Sequence, residues 1–68
     1  MTVYQQVKQN LAKWKGIEAA LNDLREKTQD DECYEAYREA VLETRTISKN
    51  LTDRLVELEK EEPQYKGN

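Results

Sequence analysis

The chain has 68 residues, 37% of them charged and 37% apolar, with a net charge of -3, no His, one Cys, two Gly and one Pro. That is room for one small domain, and a lone Cys33 without any His excludes an internal disulfide and a structural zinc site. Of the usual supports for a core this small, self-association is the one left.

Frequent Gln, Glu, Lys, Leu and Ala beside few Gly and Pro predict long solvated helices and an all-α fold without strands. Thr2 followed three residues later by Gln5 has the form of a capping box, so a helix is expected to begin almost at once, over about 3–27. Its apolar face reads Val3, Val7, Leu11, Trp14, Ile17, Leu21 and Leu24, in steps of three and four. Gly16 interrupts good helix formers at a cost of about 1 kcal/mol relative to Ala, and the expected reason is close approach of another backbone, the alternative being a kink.

Lys27 to Asp31 breaks the periodicity, with Thr28 or Asp30 able to cap a second helix over about 31–62. On that helix Tyr34, Tyr37, Val41, Thr44, Ser48, Leu51, Leu55 and Leu58 form one stripe. Spacing that averages three and a half residues keeps such a stripe against a partner helix. So short a turn makes the helices antiparallel, and facing residue numbers should then sum to about 58. This register sets Val7 against Leu51, Leu11 against Ile47, Trp14 against Thr44, Ile17 against Val41, Leu21 against Tyr37 and Leu24 against Tyr34. It also lays the basic start (Lys8, Lys13, Lys15) beside the acidic end (Glu57, Glu59, Glu61, Glu62).

Ala20, Ala36, Ala40, Ile47 and Val56 widen the apolar faces beyond a two-helix seam. The expected architecture is therefore an antiparallel hairpin that pairs into a homodimeric four-helix bundle, with the seam residues as its packing and dimer face. Pro63 ends the second helix, and Pro63, Gln64, Tyr65, Lys66 and Gly67 form a tail whose tyrosine either folds back on the bundle end or is presented to a partner.

Nothing in the pattern points to a reaction. Di-iron carboxylate bundles need inward Glu-x-x-His pairs, and there is no His. The acids fall on outer faces, so no catalytic, cofactor or metal residue is assigned and no enzyme is expected. Cys33, at the start of the second helix, is expected to be a small, partly buried residue, with an intermolecular disulfide as the other option. The negative net charge disfavours nucleic acid. Lysines and a tryptophan on the first helix also fit an interfacial membrane helix, although packing in a bundle explains the same face. No apolar run exceeds Ala19-Ala20-Leu21, and no basic segment precedes an apolar core, so neither a membrane span nor a cleavable signal is expected and the cytosol is the expected compartment.

Met1-Thr2-Val3, Gln6-Val7-Lys8-Gln9, Leu11, Lys15-Gly16, Thr28-Gln29 and above all the ending Glu61-Glu62-Pro63-Gln64-Tyr65-Lys66-Gly67 resemble a small bacterial family, domain of unknown function 1657, along the whole chain. Members are short proteins of endospore-forming Bacilli and their relatives, often encoded near spore membrane-channel proteins, with no assigned activity. The resemblance implies a sporulation or spore-associated role, in the forespore or spore, and supplies no catalytic residues. Trp14 and Cys33 depart from the family pattern, which has other apolar or small residues there.

Overall fold

The structure, a computed structural model, describes residues 2–62. Among these there are two helices and no strand: α1 spans Val3–Lys27 and α2 spans Asp31–Glu61, packed along their length as an antiparallel hairpin. The molecule is a rod of 48 × 17 × 16 Å.

Each end of each helix has a local cause. The Thr2 hydroxyl accepts from the Gln5 amide at 3.1 Å while the Gln5 side chain accepts from the Thr2 amide, so two amides that the helix leaves unpaired are satisfied reciprocally. At the turn, extended backbone at Thr28 stops α1, its amide still donating to the Leu24 carbonyl. The Thr28 hydroxyl then accepts from the Asp30 amide at 3.2 Å, and the Asp30 carboxylate accepts from the Cys33 amide at 2.9 Å. One threonine thus closes α1 and braces the residue that opens α2. Glu62, immediately before Pro63, leaves helical geometry at φ -130°, ψ 86°, as the clash with a following proline ring requires.

The covered stripe of α2 follows the sequence spacing closely. Val41, Thr44, Ser48 and Leu58 are buried, Tyr37, Leu51 and Leu55 are half-buried, and only Tyr34 at the turn end is exposed. Thr44 satisfies its buried hydroxyl by donating to the Val41 carbonyl at 2.7 Å. The Ser48 hydroxyl and the Asn22 Oδ1 are buried without a hydrogen-bond partner among the described residues.

On α1 the stripe differs from the expected one. The covered stripe is Tyr4, Val7, Leu11, Trp14, Glu18, Leu21 and Arg25, an unbroken alternation of three and four with Asn22 half-buried beside it, whereas Val3, Ile17 and Leu24 are exposed. Beyond Trp14 the strict alternation places charged residues in the seam. Glu18 pairs with Arg45 and Arg25 lies near the Tyr34 ring.

Cross-helix side-chain contacts bear on the register. Arg25 meets Tyr34, a pair whose numbers sum to 59, while Tyr4 meets Glu59 and Glu18 meets Arg45, pairs that sum to 63. In an antiparallel pair both side chains lean toward their own helix N-termini, so long side chains meet residues a few positions beyond the ones that share their level. Ile17 is exposed and does not cover Val41.

Gly16 is corrected as well. A Cβ built there meets nothing within 4 Å, so neither the neighbouring helix nor a side chain of this chain approaches it.

Candidate interaction face

The two edges of the hairpin differ in chemistry, and the difference follows from the seam. In an antiparallel pair, the residue immediately before alternate seam positions lies on one edge in both helices, and the residue four after each of those seam positions lies on the opposite edge. The second edge carries Lys8, Lys15 and Asn22 from α1 with Arg38, Arg45, Thr52 and Glu59 from α2.

Cross-helix polar contacts follow this charged edge. The Tyr4 hydroxyl donates to Glu59 Oε2 at 3.0 Å, Arg45 Nε donates to Glu18 Oε2 at 3.2 Å, and the Arg25 guanidinium lies 5.9 Å from the centre of the Tyr34 ring. Lys8 Nζ lies 5.5 Å from the Tyr4 ring centre. Burial first, then the hydrogen bond to Glu59 and its negative charge, raise the Tyr4 phenol above its ordinary value of 10.0. The Cys33 amide leads the causes that hold the Asp30 carboxyl below 3.8, and hydrogen bonding to Asp23 leads those that raise Lys27 above 10.5.

The opposite edge has no comparable charge in its turn-proximal half. There α1 contributes Ile17 and Leu24, 43% and 46% exposed, with Ala20 beside them; α2 contributes Ala36 and the half-buried Ala40 and Ile47. Cys33 is also at this edge and is exposed, so it is not the partly buried residue expected from the sequence.

Among the expected packing residues, Val7, Leu11, Trp14, Leu21, Tyr37, Val41, Ile47, Leu51, Leu55 and Leu58 are buried or half-buried in the hairpin, while Ile17 and Leu24 stand outside its seam. The expected partner segment, Pro63 to Gly67, lies outside the described residues. Tyr4 was missed by the sequence reading, yet stepping back seven residues from Leu11 finds it, and the capping box one turn earlier supports a helix there. A shallow depression lined by Gln5, Lys8, Gln9 and Ala12 is open to solvent. Among the described residues no group of three or more His, Cys, Asp or Glu is placed to hold a metal, and no helix is long and apolar enough to cross a membrane.

No protein-family model, curated protein or solved structure matches the chain.

Proposed function

We propose that this chain is a non-enzymatic helical interaction protein that pairs with a second copy into a four-helix bundle. The observation that carries the reading is the apolar edge left uncovered by the hairpin, with Ile17 and Leu24 exposed beside Ala40 and Ile47. Among the described residues Tyr4, Val41 and Leu58 form the buried apolar core, which is little for a folded chain of this length. This favours further burial by association.

The resemblance of Glu61 to Gly67 to the ending of the spore-associated family supports a sporulation role in the cytoplasm of the forespore or spore, with Pro63 to Gly67 offered to a protein partner or used to cap the bundle. The test is molar mass by light scattering over a hundredfold dilution under reducing conditions. The expected mass is twice that of the chain, and a helical monomer throughout would reject the bundle. Removing residues 63–68 should leave the helical signal intact while abolishing capture of a partner from sporulating cells, and unchanged capture would reject the role of the tail.

A second reading, a peripheral membrane protein of the spore, draws on the same exposed Ile17 and Leu24 with Lys13 and Lys27 close by on α1. Salt-sensitive flotation with anionic liposomes would support it, and absence of flotation would remove it.

A further inference from the structure

We infer that the second copy docks on the edge formed by Ile17, Ala20, Leu24, Ala36, Ala40 and Ile47, with its hairpin turned about a twofold axis parallel to the helices, so that α1 of each chain lies over α2 of the other. This inference rests on the proposed pairing and adds the surface and the orientation.

The choice of edge comes from desolvation. The opposite edge has exposed apolar residues too, Leu42 and Val56, but Arg38, Arg45, Lys8 and Lys15 stand between or beside them, and closing that edge would strip water from all four cations. Along the turn-proximal half of the proposed edge the central residues are aliphatic with charge at the rims, and farther from the turn the edge carries one cation, Arg54, and one acid, Glu61, against the four cations opposite.

The choice of orientation comes from those rims. On α1 the outer row beside the apolar edge is Lys13, Ala20, Lys27; on α2 the equivalent row is Ala36, Glu43, Asn50, Glu57. A twofold axis along the helices brings the lysine row of one chain against the glutamate row of the other, on both sides of the bundle. Opposite charges then interleave along each rim without requiring individual ion pairs. A twofold axis across the helices would instead stack α1 on α1 and α2 on α2, opposing lysines to lysines and glutamates to glutamates. Like charges at a rim oppose association and exclude that partner geometry.

The apolar centre matches the same orientation. Rotation about an axis along the helices preserves levels, so the row of Ile17 and Leu24 on α1 faces the row of Ala40 and Ile47 on α2 of the other chain. Large branched residues then lie beside a small one and a branched one.

The test is charge-swap rescue in the full chain, read by light scattering with helicity checked by circular dichroism. Ile17→Lys alone and Ile47→Glu alone should each weaken the dimer by about tenfold or more, because each buries an unpaired charge. Mixed in equal amounts, the two chains should recover a dimer, since Lys from one then meets Glu from the other. Leu24→Lys mixed with Ala40→Glu gives an independent pair should Ile47→Glu lose helicity. Leu42→Glu should leave the dimer unchanged.

A dimer indifferent to Ile17→Lys and Leu24→Lys overturns the edge while leaving the pairing intact. Weakened single variants without recovery on mixing overturn the orientation. A wild-type monomer at every concentration overturns the pairing and this inference together.

Discussion

Glu18 and Arg25 occupy seam positions that an apolar count assigns to Ile17 and Leu24, and their burial is tolerated because each finds a partner at the rim, Arg45 for one and the Tyr34 ring for the other. Gly16 has no such compensation. It is exposed and helical, and nothing lies within 4 Å of where a Cβ would sit, so Gly16→Ala should raise stability by about 1 kcal/mol in urea unfolding. A loss instead would mean that a second chain approaches the backbone there. Two further residues set the pH limits. Asp30 is depressed in the fold chiefly by the Cys33 amide, so its contribution is fully present above the ordinary value of 3.8 and is lost as pH falls through the folded value. Tyr4 is raised, so its contribution is fully present below 10.0 and is lost as pH climbs through the folded value. Urea midpoints across pH should therefore fall at both extremes. Asp30→Asn, which still caps but does not titrate, should flatten the acid arm, and Tyr4→Phe the alkaline one; arms that keep their slopes would assign them to other groups. Lys27 also has a raised value, from Asp23, but both partners are solvent-exposed and screened, so Lys27→Met should alter the alkaline arm little.

At the scale of the helix, α2 is legible in the sequence and α1 only in part. Every residue of the α2 stripe from Tyr37 to Leu58 is covered, because apolar and small residues there follow the alternation of three and four without a charged competitor. On α1 the apolar residues themselves drift, Ile17 and Leu24 each lying one residue ahead of the seam, and periodicity cannot separate a residue packed against its own hairpin from one held for another surface. The caps were readable, since Thr2 with Gln5 and Asp30 with Cys33 are local chemistry. A turn centre fixes the register only to within a helical turn, and side-chain packing decides the remainder. Adjacent residues on α2 separate the two kinds of position. Val41 is 1% exposed, and Val41→Ala should cost about 2 kcal/mol by transfer and cavity terms. Leu42 is 47% exposed on the outer side, and Leu42→Ala should stay within about 0.5 kcal/mol. Equal losses at the two positions in urea unfolding would mean that the outer side of α2 is also covered in solution.

For the whole molecule, the question is whether folding and association are one event. Among the described residues the hairpin buries Tyr4, Val41 and Leu58 as its apolar core, while the turn-proximal half of one edge stays both apolar and wet. A rod 48 Å long and about 17 Å across has little interior of its own, and a second layer would exclude more water from its inner faces. If that layer is a second copy, the folded state contains two chains and the unfolded state one, and the equilibrium responds to concentration by mass action. A hundredfold dilution should then remove about 2.7 kcal/mol per dimer and lower the thermal midpoint by about 10 °C, given the unfolding entropy of two such chains. Calorimetry or circular dichroism melts at both concentrations, with reductant present so that Cys33 cannot join the chains covalently, read this directly. Gly16→Ala should raise both midpoints together, since it acts within one helix. Ile17→Lys should instead lower the midpoint and abolish its dependence on concentration, because the chains would then melt singly. A wild-type midpoint that ignores dilution would mean the hairpin closes as a monomer, and would leave the Ile17 and Leu24 edge open to lipid or to a different protein.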